Sequence, residues 1–334
     1  MKWQKLGLIW APTGEVDWAQ THATLPVVQT LPDDQWRVYV SCRDAHGKSR
    51  IGRLTLDVSE LAAGVLPRVL HFDPTPVLSL GEPGTFDDSG VMPSWLVQTG
   101  DELRLYYVGW NVLATVPYHV SIGLAVSTDG GATFQRRSQG PTMERSPSEP
   151  FFVTTPCVIE ENGLWRMWYA SATGWRQING KWEPSYHVKY AESSDGLAWR
   201  PAGVSCIDAG EDCAVCRPCV FRDDDRYAML YSYRLLSQYR TDPEQAYRIG
   251  YAESVDGVHW RRMDGDAGVE RSAAGWDREM VEYCAVHQQG DQTYLLYNGN
   301  GFGQSGVGIA RLDLLRLGEP HINERKVRGN AKVY

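Results

Sequence analysis

The chain has 334 residues, 43% hydrophobic and 22% charged, enough apolar material for a real core and too much for a disordered protein. Thirty-three Lys and Arg against 41 Asp and Glu leave a formal charge of −8 with no basic block, so nucleic acid is not an expected partner. No run of about 18 apolar residues occurs, which excludes a membrane-spanning helix, and no membrane partner is expected.

The opening segment, Met1 to Trp10, is cut off by Ala11-Pro12 before it reaches the roughly 7 to 15 apolar residues of a secretory core. Seven cysteines, an odd number, point to a reducing compartment, and the expectation is a cytoplasmic protein. Thirteen Trp and 17 Tyr favour strands, and 33 Gly mark the turns between them, so the composition reads as all-β.

In chain order, the first predicted pair is a strand anchored at Pro26, preceded by Thr21-His22-Ala23-Thr24-Leu25, and the alternating run Trp36 to Val40. A second anchor at Pro93 follows Asp88-Ser89-Gly90-Val91-Met92. It leads to Leu103–Tyr107, then Gly123–Ser127, then Asp129-Gly130 with Phe134 behind it. The third copy runs from Pro156 through Trp165–Tyr169 and Lys189–Ser193 to Asp195-Gly196 and Trp199. The fourth runs from Pro218 through Tyr227–Tyr231 and Gly250–Ser254 to Asp256-Gly257 and Trp260. A fifth, partial copy places Tyr283 at the anchor position, followed by Thr293–Tyr297.

Asp-Gly between alternating apolar runs is a hairpin signal, and the copies recur about 60 to 67 residues apart. One four-stranded unit cannot bury a core alone, but five stacked around an axis can. The expected fold is therefore a single-domain, all-β, five-bladed β-propeller over residues 1–313. Its blades fall at approximately 15–75, 76–140, 141–203, 204–266 and 267–313, and a tail, 314–334, lies outside the repeat. A β-sandwich does not explain five copies in register.

Innermost strands of a propeller line a central channel, so departures from the repeat there are where function is sought. His22, Asp88, Arg217, Glu279 and Glu282 interrupt strands that should be small and apolar, with Asp87 and Glu149 just outside. A second ring, at the end of the following strand, holds Arg43, Trp110, Ala172, Arg234 and Asn300. Such carboxylates, cations, amide and indole suit a polyhydroxylated ligand: hydroxyls need directional partners and the C–H faces of a sugar an aromatic platform. Structural readings compete. Asp87 and Asp88 also suit a turn before Gly90, Arg217 and Glu282 an inter-blade ion pair, Trp110 a blade core, and His22 a satisfied interior position.

Cys206, Cys213, Cys216 and Cys219 contain a C-x2-C-x2-C run that imitates a metal site. Cys157, Cys219 and Cys284 each follow an anchor residue, however, where Val27 and Ser94 stand in the first two copies, so they read as small core residues. No metal and no cofactor are expected.

The Asp-Gly-aromatic units, the phrase Phe86-Asp87-Asp88-Ser89-Gly90-Val91-Met92-Pro93-Ser94, Trp165–Tyr169 and Tyr297-Asn298-Gly299-Asn300-Gly301 together resemble the five-bladed glycosidase superfamily. It includes arabinanases, xylosidases, invertases and mannoside phosphorylases. The resemblance implies a base or nucleophile from the first blade, a pKa-modulating Asp from the second and a general acid Glu from a later one. Asp88 matches the modulating Asp by blade, and Glu149 and Glu282 are the remaining catalytic candidates. The first copy departs from the pattern: Leu25 precedes Pro26 where an Asp is implied, leaving Asp17 or His22 as substitutes.

The expected function is a carbohydrate-active, glycoside hydrolase-like enzyme. Asp88, Glu282 and Glu149 would do acid/base work, and His22, Arg43, Asp87, Trp110, Arg217, Arg234, Glu279 and Asn300 would bind substrate. The substrate would be a sugar or glycoconjugate, neutral or anionic. Phosphorolysis or glycosyl transfer from a phosphate-bearing donor is an alternative, since phosphate is its own nucleophile and needs only cations to hold it, with Arg43, Arg217, Arg234 and His22 as the cradle. A noncatalytic glycan-binding propeller is the third reading.

Overall fold

The structure is a computed structural model describing residues 1–223 and 225–313, so the expected tail, 314–334, lies outside the described residues. Strand β1 (Trp3–Trp10) comes first. The first unit is β2 (Thr21–Leu31), β3 (Gln35–Arg43), β4 (Ser49–Asp57) and β5 (Arg68–Phe72), and the second is β6 (Gly90–Thr99), β7 (Glu102–Val112), β8 (Tyr118–Ser127) and β9 (Gln135–Arg136). The third is β10 (Val153–Glu161), β11 (Leu164–Ile178), β12 (Lys181–Ser193) and β13 (Arg200–Ile207), and the fourth is β14 (Cys213–Asp223), β15 (Arg226–Leu235), β16 (Arg248–Ser254) and β17 (Arg261–Arg262). The last comprises β18 (Glu282–Gln289), β19 (Gln292–Asn298) and β20 (Val307–Leu312), with β1 as its outer strand, so the two ends of the described chain close one sheet.

Each unit is an antiparallel four-stranded meander, and a single parallel pair, Ser49 with Gly90, joins the first two. Innermost strands β2, β6, β10, β14 and β18 each touch the next, and β18 returns to β2. The described residues thus form a five-bladed propeller. No helix among them is long and apolar enough to cross a membrane.

The repeated Asp-Gly phrases have two jobs. Asp129, Asp195 and Asp256 each accept two backbone N–H bonds from the residues just beyond the turn, at 2.8–3.0 Å. The turn then presents a glycine carbonyl to the preceding blade. Tyr39 donates to Gly131, Tyr106 to Gly196 and Trp168 to Gly257, at 2.7–2.8 Å. These glycines have φ between 70° and 88°, where a side chain would be strained.

The inner strands are not flat ladders. Pairing slips between Thr24 and Val27, Thr154 and Cys157, Cys216 and Cys219, and Glu282 and Ala285. In each case the residue after the first of these is left-handed: Leu25 (φ 55°), Thr155 (45°), Arg217 (52°) and Tyr283 (51°). A bulge of this kind re-aims side chains, and a non-glycine residue rarely adopts φ > 0 without surrounding constraint. It also corrects the expected alignment of the fifth copy by one residue: Tyr283 is equivalent to Arg217 rather than to Pro218, and Cys284 takes the place of the proline. Two cysteines, Cys157 and Cys219, therefore share the core position, and Ala285 holds it in the fifth copy.

Those small side chains stitch neighbouring blades. Ser94 Oγ donates to the Pro156 carbonyl (2.8 Å), while Cys157 Sγ and Cys219 Sγ accept the backbone N–H groups of Val220 (3.3 Å) and Val286 (3.1 Å). All seven cysteines are free thiols. Arg217 completes the axis. Its backbone N–H meets Thr155 Oγ1 (3.1 Å), and its guanidinium donates to the Ser94 carbonyl (2.7 Å) and the Pro26 carbonyl (3.2 Å). Arg217→Ala should leave two buried carbonyls unpaired and a void on the axis, costing about 3–5 kcal/mol of stability. The midpoint of urea unfolding followed by tryptophan fluorescence would show it.

Candidate active site

A cavity of about 370 Å³ opens on the axis at the end where the first strands enter and the second strands leave. Its floor comes from equivalent inner-strand positions, Thr24, Met92, Thr154 and Cys216, one per blade. Glu282 is the fifth blade's residue at that position, since it pairs with Asn298 as Cys216 pairs with Ser232. A carboxyl thus stands where the other blades carry a small or apolar side chain.

Glu282 is fully buried, and neither carboxyl oxygen has a hydrogen-bond partner among the described residues. Burial pushes its pKa well above the ordinary carboxylate value, against the pull of Arg43, Arg234 and Arg240. All three arginines line the cavity. Arg234 is buried, donating to Tyr247 Oη (3.2 Å) and the Pro184 carbonyl (3.0 Å), with its guanidinium 3.7 Å from the centre of the Tyr239 ring. Arg240 is half exposed and pairs with Glu183 at 3.1 Å, which also accepts from Tyr239 Oη (2.5 Å). Arg43, at the end of β3, is partly buried, and its guanidinium has no hydrogen bond or ion pair among the described residues.

Aromatic rings form most of the remaining wall. Tyr186 and Tyr247 share a hydroxyl–hydroxyl bond of 2.6 Å, Tyr283 packs 5.4 Å from Tyr247, and Phe152, Tyr118 and Phe302 extend the surface. Trp110 also faces the cavity and donates from Nε1 to Ser49 Oγ (2.9 Å). Three arginines, apolar ring faces and the buried Glu282 within the arginines' electrostatic reach thus give the cavity both positive charge and stacking surface.

Of the residues singled out in the sequence, Arg43, Trp110 and Arg234 lie in the wall and Glu282 in the floor position; the others are elsewhere. Asp88 caps its own turn, accepting from Gly84 N–H and Ser89 Oγ, both at 2.9 Å. Asp87 is buried between Tyr107 Oη (2.9 Å) and Arg136 Nε (2.7 Å), and Glu149 between Tyr169 Oη (2.8 Å) and Lys189 Nζ (3.4 Å). Asp277 repeats the arrangement with Tyr297 (2.9 Å) and Lys5 (2.6 Å). Each acid stands 20 residues before its tyrosine, so Asp87 and Glu149 belong to a structural repeat that braces the blade rather than to the cavity.

Arg217 is not among the lining residues because its guanidinium turns away along the axis to the Ser94 and Pro26 carbonyls. It makes no pair with Glu282. Glu279 is partly exposed, with Arg278 3.9 Å away, and Asn300 holds the Glu279 backbone N–H (2.7 Å) and the Gly275 carbonyl (3.1 Å), pinning a loop. Ala172 is buried blade core, and Asp17 is exposed in the loop before β2. His22 is left-handed (φ 63°), its Nδ1 is 2.9 Å from Thr21 Oγ1, and burial followed by the Arg43 charge lowers its pKa to about 4. A neutral imidazole cannot serve as the fourth cation of the expected cradle; Arg240 supplies the third.

Arg240, Tyr186, Tyr239 and Tyr247 escaped the sequence reading because they sit in third strands and connecting loops, outside both rings considered. The segment Leu236 to Tyr247, much longer than the matching loop of the first blade, was the available signal.

Between its ordinary value of 4.5 and its raised folded value, Glu282 keeps in the folded state a proton that the unfolded chain has released, so stability falls as pH rises through that window. The loss is at most about 1.4 kcal/mol per pH unit. Glu282→Gln removes this slope. Urea unfolding of both proteins at about pH 5, 7 and 9 should show the variant gaining on wild type with pH, and parallel curves would reject the assignment.

No protein-family model matches the chain. Two Mycobacterium tuberculosis proteins, MT1551 of strain CDC 1551 / Oshkosh and Rv1502 of strain ATCC 25618 / H37Rv, are each 39% identical over 315 residues, 94% of this chain and 100% of theirs. Both bear the name uncharacterized protein. Among solved structures, a glycosyl hydrolase from Bacteroides ovatus aligns with a TM-score of 0.69 at 17% identity, covering 94% of each chain. A thermostable family-43 glycoside hydrolase aligns at 0.62 and 17% identity, over 88% of this chain and 90% of its own. A Bombyx mori family-32 β-fructofuranosidase aligns at 0.61 and 16%, over 89% and 63%. The chain belongs to the family of Rv1502 and MT1551, and it shares its fold with these glycoside hydrolases.

Proposed function

We propose that the chain is a carbohydrate-active enzyme that breaks and forms a glycosidic bond in the central cavity, with phosphate, free or carried by the substrate, held by Arg43, Arg234 and Arg240. The observation that carries this reading is three arginines in the cavity wall together with Glu282, an unpaired carboxyl buried at the fifth blade's floor position within the electrostatic reach of all three.

Hydrolysis by a carboxylate pair needs two such groups flanking the anomeric carbon. Asp88 and Glu149, the expected partners, are committed to a turn and to a blade brace. Phosphate removes the need for the second group because it supplies the attacking or departing oxygen itself. Glu282, protonated by burial, donates its proton to the glycosidic oxygen as the C–O bond breaks and a phosphate oxygen bonds to the anomeric carbon. The carboxylate left behind is stabilised by the neighbouring guanidiniums. In the reverse direction it accepts the proton of the attacking hydroxyl, and phosphate departs. The aromatic wall offers the sugar its apolar face.

Likeness of fold supports the carbohydrate class: the aligned structures are glycoside hydrolases and a β-fructofuranosidase, and this cavity occupies the axial position of the shared fold.

Titration calorimetry with inorganic phosphate should show binding that falls at least 10-fold in Arg43→Ala, the loss of a charge-assisted contact. With a panel of glycosides and glycosyl phosphates, turnover should require phosphate or a phosphate-bearing donor and drop about 10²–10⁴-fold in Glu282→Gln. Asp88→Asn should leave it nearly intact. Phosphate-independent turnover of a neutral glycoside, insensitive to Glu282→Gln, would overturn the reading.

A further inference from the structure

The cavity does not end in polar rim on every side. Between the second and third blades its aromatic wall continues outward as an exposed apolar ledge. Strands β11 and β12 span 15 and 13 residues and form the longest hairpin of the propeller, projecting beyond the mouth. On it Trp175 packs edge-on against Tyr118 (5.2 Å) and Phe152 (5.7 Å), two residues of the cavity wall. Trp175 pairs with Pro184 and Gln177 with Trp182, so Trp182 lies on the same face of the hairpin as Trp175, one step farther out. It is 40% exposed.

Across the mouth, Val112 pairs directly with Tyr118 and so shares its face, and it is 66% exposed. Phe151, the neighbour of Phe152, lies with its ring tip against Gly174 at the root of the hairpin and is 37% exposed. Water therefore meets apolar side chains at Val112, Phe151 and Trp182, in continuity with the Tyr118–Trp175–Phe152 cluster.

We propose that this ledge is a subsite for an apolar alkyl or aryl group carried by the same substrate whose anionic end sits among the arginines. The inference rests on the phosphate reading of the cavity and adds the substrate class, an anionic amphiphile. Two properties of the surface select that occupant. Positive charge is concentrated inside, on Arg43, Arg234 and Arg240, and the ledge leads directly out of that region, so one molecule with a charged head and an apolar chain complements both. A wholly polar oligosaccharide would leave Trp182 and Val112 in contact with water or with hydroxyls they cannot pair.

The test compares the binding of inorganic phosphate, methyl phosphate and hexyl phosphate by calorimetry, the hexyl chain being short enough to stay monomeric. Hexyl phosphate should bind at least 10-fold more tightly than methyl phosphate. Trp182→Ala and Val112→Ser, both surface changes that spare the core, should each narrow that ratio several-fold while leaving inorganic phosphate unchanged. If methyl and hexyl phosphate bind equally in wild type, or if both variants retain the full ratio, the ledge is not a subsite and the phosphate reading stands alone. If none of the three binds, the anion site itself is absent and both readings fall together.

Discussion

A cation without a carboxylate holds the axis of this propeller. Arg217 is fully buried, and its guanidinium donates to carbonyls of the first and second blades while its backbone bonds to the third. An ion pair at that point would join two blades; carbonyl acceptors on different strands let one side chain join four. The left-handed backbone at Arg217 is what aims it across the axis, and the same bulge recurs at Leu25, Thr155 and Tyr283. The ring of bulges therefore sets the floor of the cavity on one side and the stitched core on the other, and every functional residue inherits its position from it.

That same device explains which parts of the architecture were legible in the sequence. The Asp-Gly-aromatic phrases could be read because their chemistry is local: an Asp side chain capping its own turn needs only the next few residues. Blade number followed from their spacing. Register within the inner strands was not legible, because a bulge is stabilised by contacts to other blades, and no residue type in Thr154-Thr155-Pro156 or Glu282-Tyr283-Cys284 announces a left-handed turn. Aligning on proline consequently misplaced the fifth copy by one residue, enough to make Arg217 and Glu282 equivalent when they occupy successive positions of the bulge.

The site was legible only in part for a related reason. Asp87, Glu149 and Asp277 are buried acids near the axis and look catalytic by type, yet each is spent on a tyrosine and a basic residue of its own blade. Glu282 differs in the one respect that matters: it has no partner. The sequence shows all four as acids at strand entrances and offers no measure of who else is in reach. The arginines divide the same way, with Arg217 consumed by backbone carbonyls and Arg43 left open to the cavity.

Burying an unpaired carboxyl is costly for folding, and a fold selected only for stability would replace Glu282 with the small or apolar residues that the other blades use at its position. In the proposed reaction an anion beside Arg43 would supply acceptors for its guanidinium, and a leaving oxygen beside Glu282 would supply a destination for its proton. The braces built around Asp87 and Asp277 pair each carboxylate with a phenol and a cation of its own blade, whereas Glu282 has neither. Among acids and cations of the same types, at similar depth in the same fold, this difference in satisfaction separates the groups that hold the propeller together from those left available for chemistry.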